Sequence, residues 1–235
     1  MRLLVRPPSA AFKRALSEHP LRGKIDPHRA LLQHVAFVQA LHDAGVEIVE
    51  LPAEPELPDA CFVSDTLVPI GDSVARYATA RIEAPGTLDG GDVIVYGDRV
   101  AIGVSARTNR EGAEQLRRLA QGAGQRAFLC PVDDRLHLAS AVTVLRPDRL
   151  IGTAAGFRSL DAAGAAEGVE RLLLDDADVP AANVLAAGGR CFMAAGFPRA
   201  AATLREAGED VVEVNLDEFT KADGGPTCLV AILPG

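Results

Sequence analysis

A unit of two strands, one helix and a third strand recurs along this sequence, and it constrains the fold more than any other feature. The clearest copy covers residues 92–130, where a Gly97-Asp98 turn joins two apolar strands and Asn109 is a typical N-cap for the helix that follows. Residues 138–174 and 183–215 repeat the scheme, so the copies start 46 and 45 residues apart. Because such a unit cannot bury both of its faces alone, the copies are predicted to pack against one another.

The N-terminal segment contains a variant of the same unit. A strand at Leu3–Val5 leads to a helix that begins with Asp26 as N-cap and Pro27 at its first position. Gly45 is predicted to end this helix before a strand at Val46–Leu51. The apolar residues of the helix recur at helical spacing; they are Leu31, Leu32, Val35, Val38 and Leu41.

Two further segments complete the array. The final strand, Cys228–Leu233, pairs most simply with the N-terminal strand. Residues 61–91 hold predicted strands at Cys61–Val63, Thr66–Ile70 and Ala80–Ala84 but no helix, so this unit is short by a helix and its loop. The sequence therefore predicts an α/β fold with one domain over residues 1–235, a closed array of about five units around a shared axis with one unit short.

Composition and charge exclude several classes of protein. Hydrophobic residues make up 48% and charged residues 24% of the 235 residues, as in ordinary globular proteins. The net charge is -8 without a basic run, which argues against a nucleic-acid or anionic membrane partner. The longest apolar runs fall well short of the ~20 residues of a membrane span. No signal peptide is recognised, so we predict a cytoplasmic protein.

The cysteines favour the same compartment. Cys61, Cys130, Cys191 and Cys228 lie 30 or more residues apart, with no C-x-x-C pair and no histidine at ligand spacing. A disulfide framework is not expected in a chain this long with so few cysteines, and no motif supports a zinc site.

Polar residues gather in four short segments at strand ends and Gly-rich turns, where the loops of an array converge. These segments are Pro58–Asp65, Leu88–Asp92, Leu136–Leu138 and Lys221–Cys228. Asp59 and Asp65 bracket a predicted strand at an even spacing, which would place both on one face.

Each candidate also has a structural explanation when it is taken alone. The aspartates suit turns, Asp89 with its glycines suits a hairpin loop, and a histidine between two leucines at the start of a strand, such as His137, is usually part of a core. Cys228 opens the last strand after a Gly-rich turn. Together, a thiol, an imidazole and several carboxylates suit nucleophilic attack on a cation, and a planar guanidinium matches carboxylate oxygens in pairs.

Five segments of the chain, in order, resemble the dimethylarginine dimethylaminohydrolases of the guanidine-modifying (pentein) superfamily. They are Pro58-Asp59-Ala60-Cys61-Phe62-Val63-Ser64-Asp65, Leu88-Asp89-Gly90-Gly91-Asp92-Val93, Ser105-Ala106-Arg107-Thr108-Asn109, Leu136-His137-Leu138 and Lys221-Ala222-Asp223-Gly224-Gly225-Pro226-Thr227-Cys228. The resemblance covers nearly the whole chain. It implies a five-bladed α/β propeller of ββαβ repeats around a central channel, which agrees with the repeat count.

The resemblance also implies a reaction. Cys228 would attack the guanidinium carbon of Nω,Nω-dimethylarginine or monomethylarginine and expel dimethylamine or methylamine. Water would then hydrolyse the S-alkylthiouronium intermediate to citrulline. His137 would serve first as acid and then as base, Asp89 would orient His137 and bind a guanidinium nitrogen, and Asp65 would hold another nitrogen. No metal or organic cofactor is required.

Further residues are assigned to substrate binding by the same resemblance. Asp59 would be a secondary contact, and Arg107 would take the α-carboxylate of the substrate. Leu16 matches a position that closes over the ligand, and Ala222 matches one that offers its backbone carbonyl to the α-amine. Ser64 stands where the family motif has glutamate, so a hydroxyl replaces one acidic contact.

A second departure concerns the short unit. The family carries an Arg-Pro-Gly-Ala-type segment there, whose arginine helps to bind the substrate carboxylate. Either the protein lacks this segment, or a stretch is missing at the junction near Ala75-Arg76. We favour the second explanation, because losing a helix from one unit would expose the neighbouring core.

Alternative functions stay open at this point. An arginine deiminase or another guanidine hydrolase of the superfamily is the first, since Ser64 and the missing arginine could widen specificity. A non-catalytic arginine-binding relative is the second, and an unrelated α/β repeat protein is the third. The expected partner is a small cationic guanidine. The oligomeric state is left open, with a homodimer as one option.

Overall fold

A computed structural model describes residues 1–70, 80–133 and 135–233. Within these residues, the strands are β1 (Arg2–Val5), β2 (Glu47–Glu50), β3 (Val93–Tyr96), β4 (Arg99–Val104), β5 (Arg126–Pro131), β6 (Val142–Arg146), β7 (Arg149–Thr153), β8 (Glu170–Leu174), β9 (Leu185–Ala187), β10 (Arg190–Ala194), β11 (Val211–Val214) and β12 (Val230–Leu233). The α-helices are α1 (Pro27–Asp43), α2 (Arg110–Gly122), α3 (Ala154–Ala162), α4 (Pro198–Glu206) and α5 (Asp217–Thr220).

The chain divides into two compact units. The first unit consists of Met1–Leu67 together with Asn183–Leu233, and the second consists of Val68–Ala182. The first unit contains the sheets β12-β1-β2 and β11-β10-β9, and the second contains β3-β4-β5 and β6-β7-β8. Each unit is therefore built from two three-stranded sheets within the described residues. The interpretation of residues 1–235 as a single domain stays a prediction.

All four sheets are built in the same way. In three of them a hairpin pairs two strands antiparallel, and the chain returns through a helix to add a third strand parallel to the second. The repeat predicted at 92, 138 and 183 is confirmed by this pattern. Parallel pairing requires a crossover, and α2, α3 and α4 supply it.

The fourth sheet joins the two ends of the chain. β12 runs antiparallel to β1, with Arg2 opposite Leu233 and Val5 opposite Val230. β2 pairs with β1 in parallel after the crossover through α1. The C-terminal strand therefore takes the place of the first strand of a repeat, and its predicted pairing with the N-terminal strand is confirmed.

The strands predicted between residues 61 and 84 are wrong within the described residues. Val63–Thr66 form a 3-10 turn, and residues 67–70 and 80–84 lie in no strand. The reason is local: Phe62 N–H donates to the Asp59 carbonyl and Asp65 N–H donates to the Phe62 carbonyl, so these backbone groups close turns. The junction near Ala75-Arg76 lies outside the described residues. The count of five units stays a prediction.

Helix α1 begins where it was predicted but buries a different face. The Asp26 carboxylate accepts the N–H groups of His28 and Arg29, and Gly45 has a φ of 76° just beyond the helix end. The buried residues are Ala30, Gln33, His34, Phe37 and Leu41. Of the predicted stripe, Leu31, Leu32 and Val35 are exposed, Val38 is half-buried and Leu41 is buried. The polar residue Gln33 is accommodated inside because its amide bonds to Asn215 and to the backbone N–H of Glu218.

Each unit has its own hydrophobic core. Phe12, Phe37, Phe192 and Phe219 are fully buried in the first unit, and Phe12 lies 5.2 Å from Phe219 between ring centroids. In the second unit, one cluster packs α3 on β6 and β7, and another packs α2 on β4. Among the described residues, no helix combines the length and apolar character of a membrane span.

Candidate active site

Two groups of candidate residues form, one in each unit. The first unit carries Cys228, Asp65, Ser64, Asp59, Leu16 and Ala222, and the second carries His137, Asp89 and Arg107.

Cys228 lies in the turn that leads into β12 and not in the strand itself, which corrects the expectation that it opens the strand. α5 ends at Thr220, and the following turn places Asp223 at a φ of 57°, a left-handed conformation that is uncommon for a residue with a side chain. Cys228 N–H then donates to the Gly225 carbonyl at 3.1 Å. The buried residues Val230 and Ala231 of β12 thus hold one end of the Cys228 turn, and the buried helix residue Phe219 anchors the other.

Ser64 and Asp65 lie beside the Cys228 turn. Ser64 N–H donates to the Cys228 carbonyl at 3.5 Å, and Ser64 Oγ lies 3.3 Å from both that carbonyl and Asp65 Oδ1. Asp65 belongs to the 3-10 turn Val63–Thr66, so its relation to Asp59 does not follow the strand alternation that was predicted. The structure therefore brings Ser64, Asp65 and Cys228 together through turns.

Burial is the largest influence on the Cys228 thiol. Burial, followed by the charge of Asp65, raises the pKa of Cys228 to about 11, although hydrogen bonds from its surroundings oppose the rise. The other three cysteines are buried and unbridged, and burial likewise raises the pKa of Cys130 to about 12. Of the four cysteine residues, Cys228 is the one that is not fully buried.

The N-terminal loop is fastened to the segment before Cys228. Asp59 Oδ1 and Oδ2 accept the Leu16 N–H at 3.2 and 3.3 Å, while the Leu16 side chain is 66% exposed. Ser17 Oγ lies 2.9 Å from the Lys221 carbonyl and 2.8 Å from Asp223 Oδ2. Asp59 thus holds the backbone of the loop that carries Leu16.

Ala222 lies in the same turn as Asp223. It is buried, and its N–H donates to the Phe219 carbonyl.

In the second unit, His137 and Asp89 form a close pair. His137 Nε2 lies 3.1 Å from Asp89 Oδ2, and both side chains are largely buried. Asp89 is fixed by its own turn, because its Oδ1 accepts the Gly91 N–H and its N–H donates to Thr108 Oγ1. His137 precedes a 3-10 turn, Leu138–Ser140, which corrects its expected place at the start of a strand.

Opposing effects act on the Asp89 carboxyl. Burial raises its pKa, but hydrogen bonding and charge from His137, the Gly91 N–H and the charge of Arg107 together hold the pKa below its ordinary value. Arg107 Nη1 is 4.0 Å from Asp89 Oδ2, and its side chain is 41% exposed. Asp89 is therefore an ionised carboxylate that holds the imidazole, with Arg107 beside it and open to solvent.

Asp92 is a buried carboxylate that the sequence analysis did not assign to the site. It is fully buried, accepts the Ser105 hydroxyl at 2.6 Å, and its Oδ1 accepts the Leu138 N–H at 3.0 Å. Burial raises the pKa of Asp92, against these hydrogen bonds. Ser105 Oγ in turn accepts the Arg107 N–H. Asp92 thus ties the backbone next to His137 to the loop that carries Arg107.

Gly91 allows the His137 ring to lie where it does. A Cβ at this position would come within 2.6 Å of His137 Nδ1 and 2.7 Å of Cγ. Because His137 is predicted to transfer protons in the reaction, we expect Gly91→Ala to displace the imidazole and to lower kcat by about 100-fold without unfolding the protein, since small misplacements of a catalytic group are this costly. Gly122→Ala, where a Cβ meets nothing within 4 Å, is the matched control. Unchanged turnover in Gly91→Ala would contradict the placement of His137 in the reaction.

Known proteins match this sequence over nearly its whole length. Two curated proteins named N(G),N(G)-dimethylarginine dimethylaminohydrolase match it: that of Streptomyces coelicolor is 36% identical over 96% of this chain and 94% of its own length, and that of Pseudomonas aeruginosa is 31% identical over 97% of each. Both alignments exceed 235 positions, so they open gaps in this chain.

A solved structure and a family model also match this chain. A solved dimethylarginine dimethylaminohydrolase from Pseudomonas aeruginosa, a Cys-to-Ser variant with citrulline bound, has a TM-score of 0.88 at 28% identity and covers 97% of both chains. The family model described as arginine deiminase matches residues 73–151.

These matches identify a mixed α/β member of the guanidine-modifying superfamily. Within that superfamily, the chain belongs to the dimethylarginine dimethylaminohydrolase family.

Proposed function

We propose that the protein hydrolyses Nω,Nω-dimethyl-L-arginine and Nω-monomethyl-L-arginine to L-citrulline, releasing dimethylamine or methylamine. The observation that carries this proposal is the match at 36% identity over nearly the full length of a dimethylarginine dimethylaminohydrolase. The Cys228 thiol beside Asp65 and the buried His137–Asp89 pair supply the chemical groups that such a reaction needs.

In the first half of the proposed reaction, the Cys228 thiolate attacks the guanidinium carbon. The bond from that carbon to the methylated nitrogen breaks, and His137 gives a proton to the departing amine. The cationic substrate favours the thiolate, whose pKa burial and Asp65 otherwise hold high. Asp65 and Asp89 hold guanidinium nitrogens through charge-assisted hydrogen bonds.

In the second half, water attacks the S-alkylthiouronium carbon while His137 accepts a proton from it. The carbon–sulfur bond then breaks, citrulline leaves and the thiolate is restored. Asp89 supports both steps because its ionised carboxylate stabilises the imidazolium form of His137. Every residue in this scheme belongs to the chain, and no cofactor takes part.

Substrate binding completes the proposal. Arg107 takes the α-carboxylate, and the exposed guanidinium beside Asp89 suits that role. The Ala222 carbonyl takes the α-amine, and Ser64 contributes a hydroxyl. Asp59 is a secondary substrate contact that also holds the backbone of the N-terminal loop, whose Leu16 closes over the ligand. We also propose that residues 61–91 are the fifth, short member of a five-unit array, that the protein acts in the cytoplasm, and that a homodimer is one candidate assembly.

The test measures citrulline release from dimethylarginine, monomethylarginine and arginine under the same conditions. We expect the methylated substrates to have the higher kcat/KM. A second candidate, arginine deiminase, is favoured by the family model that matches residues 73–151, and a preference for plain arginine would select it. A protein that binds these compounds without turning any of them over would be a binding relative. An intact mass about 2 kDa above 24.6 kDa would show a missing stretch of family-like size, as expected from ordinary residue masses.

A further inference from the structure

An asparagine that the proposed mechanism does not use touches the sulfur of Cys228. Asn183 immediately precedes Val184 and β9, is 7% exposed, and directs its Nδ2 to Cys228 Sγ at 3.5 Å. It belongs to the same unit as Cys228. An N–H donor at a nucleophilic sulfur can do more than fill space, because a thiolate is a stronger acceptor than a thiol.

The orientation of the amide is fixed by its other end. Asn183 Oδ1 accepts the Thr227 N–H at 2.9 Å and lies 3.0 Å from Thr227 Oγ1. A backbone N–H can only donate, so the atom that faces it is the oxygen and the atom at the sulfur is the NH₂ group. The Asn183 side chain therefore accepts hydrogen bonds from Thr227 through Oδ1 and donates one to Cys228 through Nδ2.

The turn is shaped to admit this side chain. A Cβ at Gly225 would come within 2.6 Å of Asn183 Cγ and 2.7 Å of Oδ1. The amide thus lies directly against the backbone of the turn whose carbonyl accepts the Cys228 N–H. Neither the amide nor the turn can shift independently of the other.

Within this unit, two titratable groups act on or near the same sulfur. The Asp65 carboxylate disfavours the thiolate, and Cys61, a buried thiol, interacts electrostatically with Cys228. Asn183 and Thr227 act in the opposite direction and lower the pKa of Cys228. The donor on Asn183 is therefore a compensating group for a nucleophile placed beside a carboxylate.

We propose that Asn183 is a further catalytic residue, whose side-chain NH₂ donates to the Cys228 sulfur and stabilises it as the attacking thiolate. This inference rests on the proposed function in one respect, the role of Cys228 as nucleophile.

The first experiment separates the hydrogen bond that Asn183 donates to Cys228 from the hydrogen bonds that it accepts from Thr227. Asn183→Asp keeps an oxygen for Thr227 but puts a carboxylate oxygen at the sulfur in place of the NH₂ group. We expect the rate at which iodoacetamide alkylates Cys228 near neutral pH, followed by peptide mass spectrometry, to fall by about 10- to 100-fold, as the loss of a hydrogen bond to a charged group implies. Asn183→Leu, which removes both ends, should lower it as well, and kcat should fall in parallel.

Asn215→Asp is the matched control. Asn215 also accepts two donors through Oδ1, from Gln33 and the Asp217 backbone, so the variant makes the same charge change in the same unit. We expect its alkylation rate to stay within about twofold of the wild-type rate. If folded Asn183→Asp alkylates at the wild-type rate, Asn183 is only a structural support of the turn and the proposal fails.

A second measurement needs no variant at the site. The chain has three asparagines, Asn109, Asn183 and Asn215, so labelling asparagine with the heavy nitrogen isotope gives three side-chain nitrogen signals, each with a pair of amide protons. The signals of Asn109 and Asn215 are assigned by replacing those residues. Alkylation of wild-type Cys228 should shift the Asn183 signal most, and an unmoved Asn183 signal would overturn the proposal even if the Asn183 variants do not fold.

The two proposals fail in different ways. If the wild type releases citrulline from no guanidine while the Asn183 effects on thiol reactivity and amide shift are present, the proposed function fails and the hydrogen bond to the thiolate stands. If the wild type turns over normally and neither effect is seen, only the role of Asn183 is lost.

Discussion

Cys228→Ser will lower citrulline release from dimethylarginine by about 10⁴-fold or more while the protein stays folded, because a serine hydroxyl without a dedicated base is a far weaker nucleophile than a thiolate. The substitution is nearly isosteric. It also leaves the backbone bonds to Gly225 and Ser64 in place, so folding is expected to survive. Steady-state kinetics together with a thermal unfolding curve measures both effects.

The control for Cys228→Ser is Cys191→Ser. Cys191 is buried, and its Sγ lies 3.5 Å from Glu209 Oε2, so a hydroxyl there can donate to the same carboxylate. Its turnover should remain at the wild-type level. If Cys228→Ser retains turnover within about tenfold of the wild type, the covalent mechanism is wrong, since loss of a true nucleophile costs several orders of magnitude.

The repeated units could be predicted because their signals are local. The Gly97-Asp98 turn, the N-cap Asn109 and the glycine after α1 each act through a few neighbouring backbone groups, and the structure places turns, caps and helix ends where these residues stand. The pairing of β12 with β1 followed from counting, since a lone final strand needed a partner.

The prediction of the buried face of α1 was wrong because long-range packing decides which residues of a helix are buried. The exposed side chains of Leu31, Leu32 and Val35 form an apolar stripe, and the face that Ala30, His34 and Phe37 share was buried instead. The two faces are displaced from each other by about one residue along the sequence. Helical periodicity alone cannot tell which of two such neighbouring faces is buried.

The placement of the site residues shows a similar limit. His137 directly precedes the 3-10 turn before β6, and Cys228 lies in the turn before β12. Strand alternation in the sequence could not reveal that either residue lies outside a strand.

The sequence analysis missed Asn183, and it placed Asp92 in a candidate segment without giving it a role. Both lie at the starts of repeats, at positions 92 and 183, and both are buried polar residues; the remaining repeat starts with Leu138. Their partners are Ser105, 13 residues after Asp92, and Thr227, 44 residues after Asn183, and spacing alone did not show what each side chain binds. Polar residues at equivalent repeat positions are thus a signal that could have been used.

Asp89→Asn will lower kcat by about 10²- to 10⁴-fold with a smaller change in KM, because an amide cannot stabilise the imidazolium of His137 and can hold the wrong tautomer. Asp89→Glu, which keeps the charge, should recover part of the loss. Asp98→Asn makes the same charge change at an exposed turn, where Asp98 pairs with Arg126, and should leave kcat unchanged. A wild-type kcat in Asp89→Asn would remove Asp89 from the proposed mechanism.

The pH dependence of stability distinguishes this ionised role from simple packing. The pKa of Asp89 is lower in the folded protein than its ordinary value, so its ionisation adds stability that is fully present above the unfolded pKa and is lost as the pH falls through the folded one. The free energy of unfolding of the wild type should therefore exceed that of Asp89→Asn at neutral pH, and the difference should shrink on acidification. A difference that does not change with pH would mean that the carboxylate contributes shape alone, and His137 would then lack the charged partner on which its two proton transfers depend.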